Sequence, residues 1–418
     1  MARARLGRDF GWLWAAQATS LTGAQISELA LPLLAVLVLD ATAGQLGLLG
    51  VARWLPFLIL ALPLGVLVDR VRRRGMMILS DWARAAVTLV LVGLALAGWL
   101  SLPVLLVIVV VLGAFTVLFE VSYQSLLPAV ARRDRLEIAN SRLQATSAAT
   151  EVAGPGVGGV LVQLLGAPVA LLVHGVAYAM SGLALGRIAT REDRIGGRPG
   201  GFVADLRDGV RFVLRDRYLL SLAGFSGIYN LFEQWIMILF TLYAIRMLGL
   251  SPGELGLVLS LGAVGALVAA ALAPGIVRRA GAGPTMVWCV VVECAALAVI
   301  PVVDPAWSRP LVIVVLAAAF ALNGAGTALS SVVALTLRQL RTPDRLLGRV
   351  NASMRWISYG SIAVGAALGG LVGELAGVLP GLIAGCAGLS LTIVWVVLSP
   401  LRGIREPAGI ASHDDTPS

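Results

Sequence analysis

The sequence predicts an all-α integral membrane protein with twelve transmembrane helices in two pseudo-symmetric six-helix bundles. Three observations carry that prediction: an excess of apolar residues, a strict alternation of arginine-rich and arginine-poor connections, and an internal repeat. The 418 residues are 58% hydrophobic and 13% charged, whereas a soluble domain carries roughly 25% charged residues. Long apolar runs follow one another, separated by short Arg clusters or Gly/Pro turns, and about 20 apolar residues span a hydrocarbon core as a helix. In lipid only helices and closed barrels satisfy their own backbone. Barrel strands alternate apolar and polar residues; a run such as Val104–Leu112 does not.

In chain order the spans read Trp12–Leu39, Leu46–Val68, Met76–Leu100, Val104–Tyr123, Leu143–Leu165 and Val169–Gly186, then Tyr218–Leu248, Leu255–Val277, Met286–Val303, Leu311–Leu337, Ser353–Gly373 and Pro380–Leu398. The connections test the count. Arg3, Arg5 and Arg8 precede the first span; Arg70, Arg72, Arg73 and Arg74 follow the second; Arg132, Arg133 and Arg135 follow the fourth. Eight arginines lie from Arg187 to Arg217 after the sixth. Arg278 and Arg279 follow the eighth, Arg338 to Arg349 the tenth, and Arg402 and Arg405 the twelfth. The alternate connections, such as Asp40–Gln45, Gly166–Pro168 and Glu374–Leu379, carry almost none, with Arg309 the exception. This positive-inside pattern places both termini in the cytoplasm. It also explains the net charge of +9 without nucleic acid, because the basic residues, all arginine, sit between spans. Cys289, Cys294 and Cys386 fall inside apolar spans without metal or disulfide spacing and read as small buried residues.

The longest connection divides the chain into a bundle over 1–186, a linker over 187–217, a second bundle over 218–405 and a cytoplasmic tail over 406–418, read as disordered. The linker opens on a flexible stretch. Its second part, Phe202–Arg217, places Phe202, Leu206, Val210, Val213 and Leu214 on one face, the pattern of an amphipathic helix on the inner membrane surface. The two halves resemble each other. Gly44-Gln45-Leu46-Gly47-Leu48 opens the second span, and Gly253-Glu254-Leu255-Gly256-Leu257 opens the eighth, 209 residues later. Asp134-Arg135-Leu136, Asn140 and Gly158-Gly159 are echoed by Asp344-Arg345-Leu346, Asn351 and Gly369-Gly370. Parallel six-span repeats are the layout of a transporter whose halves rock around a central site.

With these features the chain resembles the major facilitator superfamily over essentially its whole length. Gly65-Val-Leu-Val-Asp69-Arg70-Val-Arg72-Arg73-Arg74 is similar to the family's inner-loop signature, with Arg72 where the signature has its second Gly. Gly154-Pro155-Gly156-Val157-Gly158-Gly159 is similar to the kink motif of drug/proton antiporters. Leu127-Pro128, Arg135-Leu136 and Ala139-Asn140-Ser141 resemble the wording of the branch that holds bacterial macrolide, tetracycline and siderophore exporters. The span-four arginine motif of many antiporters is missing from Gly113–Glu120. The resemblance implies the major facilitator fold, alternating access, small-molecule cargo, proton antiport, export and a bacterial cytoplasmic membrane, with uptake or lipid transport by the same fold, or a non-transporting receptor or scaffold, as the alternatives. It also implies that Asp69, Arg70 and Arg73 form a charge latch on the inner gate. Asp81 and Arg84 either join that latch or pair with each other.

Ionisable side chains at membrane depth are the best signal for a site, since each costs about 2.5–3.5 kcal/mol at a helix centre and normally faces the bundle interior. Glu28 stands out: Pro32, four residues on, leaves its backbone carbonyl unpaired, and Arg53 is placed to pair with it. Glu233 lies in Tyr229-Asn230-Leu-Phe-Glu233-Gln234-Trp235, where Asn230 and Trp235 offer an amide and a ring to a flat ligand. Glu293 is the weaker candidate, because the resemblance makes its span peripheral. Glu120 and Glu151 complete the acids, and His174 reads as a satisfied polar residue. Gly154, Pro155, Gly158 and Gly159 are candidates for a hinge or for close packing. The sequence shows no Ser/His/Asp set, phosphate loop or metal cluster. It is therefore read as a transporter rather than an enzyme, without cofactor or metal and without an ATP-hydrolysing domain of its own.

Overall fold

A computed structural model describes residues 7–68, 71–131, 135–189 and 202–405. Its regular elements among these residues are helical. They are α1 (Arg8–Leu37), α2 (Ala43–Val68), α3 (Arg73–Leu96), α4 (Leu102–Val130), α5 (Leu136–Leu165), α6 (Ala167–Gly186), α7 (Phe202–Arg215), α8 (Arg217–Leu242), α9 (Pro252–Ala280), α10 (Ala282–Ala298), α11 (Arg309–Arg341), α12 (Asp344–Ala376), α13 (Val378–Leu389) and α14 (Leu391–Leu398). Twelve stretches among them are long and apolar enough to cross a membrane, α13 and α14 counting together as one. The predicted span count is observed.

Several helices run past their apolar stretch. α5 starts seven residues before the predicted Leu143, and α12 nine before Ser353. Their first turns are polar and continue the helix beyond the hydrocarbon, where hydropathy carries no signal. Among the described residues three spans depart from regular α-helix, the ninth by closing in a 3-10 turn over Ile300–Val302 after α10. The seventh continues from α8 into a π-helical turn over Tyr243–Met247. The twelfth was expected unbroken over Pro380–Leu398 but is interrupted at Ser390. There the Ser390 hydroxyl donates to the Ala387 carbonyl at 2.5 Å, which competes with the helical ladder.

The internal repeat has a local cause. At the start of α2 the Thr42 N–H donates to Gln45 Oε1 (3.1 Å) and the Gln45 N–H to Thr42 Oγ1 (3.4 Å). At the start of α9 the Ser251 N–H donates to Glu254 Oε2 (2.7 Å) and the Glu254 N–H to Ser251 Oγ (3.3 Å). Each is a capping box that satisfies two orphan donors reciprocally.

The chain divides into two compact units. The first takes in Met1–Gln45, Ala52–Pro199 and Ser251–Ser260; the second takes in Leu46–Val51, Gly200–Leu250 and Leu261–Ser418. In the first, α1 packs on α5 and α6, and α3 on α4 and α6, around Phe10, Leu13, Met77, Phe119 and Leu126. In the second, α8 packs on α12 and α13, and α10 on α11. Small residues set the closest crossings. In the first unit, a side chain at Gly159 would strike the Pro252 carbonyl and Gly256. In the second, one at Gly47 would meet the Ala366 carbonyl at 2.7 Å and Gly370 at 2.8 Å.

The amphipathic linker helix is present as α7, with the side chains of Phe202 and Leu206 outside the described residues. One face docks on protein: Val213 is fully buried, and a side chain at Gly209 would meet the Arg349 carbonyl at 2.5 Å. Asp216 then caps α8, accepting from the Tyr218 and Leu219 N–H groups at 2.8 and 3.0 Å.

Candidate functional site

In the first unit α1 and α2 bring Glu28 and Arg53 together, with Arg53 Nη2 at 2.5 Å from Glu28 Oε2. Both lie well inside their spans. Glu28 is nine residues before Leu37 and Arg53 ten after Ala43, so at 1.5 Å per residue each is about 13–15 Å from the turn that joins the two helices. That is about half the thickness of a hydrocarbon core. The pair is nevertheless open: the side chains are 53% and 32% exposed. Pro32 lies within α1 and supplies no N–H to the Glu28 carbonyl, as expected.

The glycines of α5 seat it against α1 beside this pair. A side chain at Gly154 would collide with Gln25, and one at Gly158 would come within 3.3 Å of the Ile26 backbone. Pro155 lies inside the same continuous helix. The small-residue face expected of this motif is thus a packing face toward α1.

Asp81 and Arg84 pair with each other along α3. Their side chains are 0% and 3% exposed, and the guanidinium lies between two rings, 4.4 Å from the centroid of Phe119 and 4.0 Å from that of Tyr178. Stacked cation–π contacts of this kind gain most when desolvated. The His174 ring sits 4.3 Å from Tyr178. It is buried with neither nitrogen hydrogen-bonded, contrary to the expectation of a satisfied polar residue. Of the latch, Asp69 and Arg70 lie outside the described residues. Gly65 falls within the last turns of α2, and Arg73 begins α3. Arg74 donates to the Leu185 and Gly186 carbonyls at 2.9 and 2.5 Å, which caps the end of α6.

The second unit holds a polar cluster in its interior. Asn323 Nδ2 donates to the Tyr229 hydroxyl at 3.0 Å, and that hydroxyl lies 2.9 Å from Thr327 Oγ1. Glu293, expected in a peripheral span, is fully buried. It accepts from Ser330 Oγ at 2.8 Å, while its second oxygen has no partner. The face of α10 that carries Glu293 turns toward Gly326 of α11, which leaves room for the carboxyl. Glu233, on α8, is partly buried. Trp235 does not present its ring to a ligand as expected, and the amide N–H of part-buried Asn230 is engaged on its own helix. Asn230 Nδ2 donates to the Ser226 carbonyl at 2.7 Å. Trp235 Nε1 donates to the Gly381 carbonyl at 2.9 Å, and its ring fills the space left by Gly369 and Gly385. Glu151 is exposed and accepts from Ser147 at 3.1 Å on its own helix.

Twelve apolar spans with ionisable groups set among them define a multi-pass membrane transporter of the major facilitator type. The chain belongs to the transmembrane secretion effector family, whose model matches residues 5–417. It is 28% identical over 211 residues to the multidrug efflux pump Tap of Mycobacterium tuberculosis (48% of this chain, 49% of that protein). It is 25% identical over 250 residues to macrolide efflux protein A of Streptococcus pyogenes (58% of this chain, 60% of that protein). The chain thus spans about half the length of the curated relatives it matches. Among solved structures it resembles a point mutant of the nucleoside transporter NupG, with a TM-score of 0.78 at 10% identity, over 93% of this chain and 99% of that one. A bacterial homologue of the iron transporter ferroportin, inward-facing, gives a TM-score of 0.67 at 20% identity, over 93% and 98%. These two likenesses concern the fold.

Proposed function

We propose that this protein exports small, preferentially cationic molecules across the bacterial cytoplasmic membrane by alternating access, in exchange for protons. The 1–186 and 218–405 halves are the moving bodies, both termini are cytoplasmic, and Asp69, Arg70 and Arg73 latch the inner gate. One observation carries the reading: the Glu28–Arg53 pair is half-exposed at mid-span. Lipid does not tolerate open charge at that depth, so such a pair faces water or cargo. A carboxylate with a movable counter-charge binds either a proton or a cationic cargo, the simplest basis for antiport. The efflux proteins among the relatives support the direction of transport.

Glu28→Gln keeps the shape and fixes the neutral state. It removes a charge-assisted bond of about 1.5–3 kcal/mol, so cationic cargo binds roughly ten- to a hundredfold more weakly. In proteoliposomes the variant is expected to insert normally yet lose substrate-dependent proton movement. An unchanged proton signal moves the coupling role to Glu233 or Glu293 and leaves Glu28 as a bond between helices. A growth-inhibition panel in an efflux-deficient host tests direction: sensitivity that rises on expression means uptake.

A further inference from the structure

We infer that α7 and the helices beneath it form a binding site for one anionic phospholipid, with the headgroup on an arginine ridge and an acyl chain in an apolar groove. The inference concerns neither cargo nor coupling and stands or falls apart from them. The groove has a volume of about 330 Å³, near the small end for ligand cavities and suited to part of a single chain. Val210 and Leu214 of α7 form one wall, Leu220 and Leu231 of α8 the floor, and Ile357 of α12 the far side. Ser361 is the one polar residue among the side chains that line it.

The ridge follows from helical spacing. Arg207, Arg211 and Arg215 repeat at intervals of four and are all exposed, so they form one line along α7. At 100° per residue Arg207 and Arg211 lie about 20° and 60° around the helix from Leu214 and Arg215 about 100°, so the line starts at the edge of the groove and runs outward from it. The nearby acids with observed partners turn elsewhere. Asp208 pairs with Arg349 at 3.2 Å and Asp216 with Arg341 at 2.6 Å. Those pairs, with buried Val213, hold α7 in place, so the ridge is a fixed feature rather than a floating basic tail. Only Asp216 separates the end of α7 from the start of α8, which sets the ridge where a span enters the bilayer, at headgroup level. A row of arginines over an apolar slot at that level matches a phosphate diester on an acyl chain.

The test compares phosphatidylglycerol with phosphatidylcholine on the purified full-length chain, read by native mass spectrometry and by thermal unfolding. Each arginine near a charged surface contributes about fivefold, so three give roughly a hundredfold preference for phosphatidylglycerol at low salt, less at physiological salt. Arg207→Gln, Arg211→Gln and Arg215→Gln together should abolish the preference while the protein stays monodisperse. Ile357→Trp should fill the groove and weaken lipid binding with the ridge intact. Glycerol phosphate, which has the headgroup charge without a chain, should bind at least tenfold more weakly. Equal binding of the two lipids, a preference that survives the triple variant, or glycerol phosphate binding as well as the lipid would each overturn the site.

Discussion

At the scale of single residues, the two charge pairs of the first unit do opposite things with the same chemistry. Glu28–Arg53 is open and joins two helices; Asp81–Arg84 is closed and lies on one. Removing one partner of a closed pair leaves a buried charge uncompensated, at a cost of about 3–5 kcal/mol. Arg84→Ala is therefore expected to lower the unfolding midpoint sharply in detergent and reduce the amount of folded protein. Asp81→Asn with Arg84→Gln should recover much of that loss. If the single variant unfolds like the parent, the cage formed by Phe119 and Tyr178 is not a structural keystone. Sequence carries this scale unevenly. The partners of Glu28 and Asp81 were legible because depth and i,i+3 spacing limit the choices. The burial of Glu293 and Trp235 was not, since it depends on which way each helix is turned, and an all-round apolar helix has no period to reveal that.

At the scale of elements, the polar punctuation of the chain specifies where helices begin. Thr42 with Gln45, and Ser251 with Glu254, start α2 and α9 by the same device. Loss of either cap by Thr42→Ala or Ser251→Ala should cost about 1 kcal/mol each, additive in the double variant because the sites share no partner. A denaturant titration in mixed micelles reads this; a change within error for both would mean that packing alone positions these ends. The sequence repeat around Gly44 and Gly253 was visible as similar wording, and the structure supplies its reason in hydrogen bonds. The break at Ser390 is not legible in the sequence, because one serine in an apolar run is too weak a signal to end a span.

At the scale of the whole molecule, the span count and the arginine alternation together predict a topology. Reporter fusions at Arg198 and Ser418 should both read cytoplasmic, as the alternation requires. Opposite readings at the two sites would mean an odd number of crossings between them and would refute the twelve-span topology. Composition sufficed for the span count, since the bilayer imposes a length on any chain that crosses it. Cargo is a different matter. It is set by the few side chains that face the pathway, and neither hydropathy nor loop charge reports on those.

The closed pair on α3 also bears on how the chain is made. Synthesis runs in order, so α3 must enter the bilayer before Tyr178 on α6 exists to cover it. A lone arginine or aspartate at mid-helix resists insertion by about 2.5–3.5 kcal/mol. Asp81 and Arg84, one turn apart on the same helix, arrive already neutralised and need no later segment for counterion. Glu28 has no such companion on α1 and is dependent on α2 for Arg53. α1 and α2 are therefore expected to insert as a unit, whereas α3 is expected to insert without a later partner.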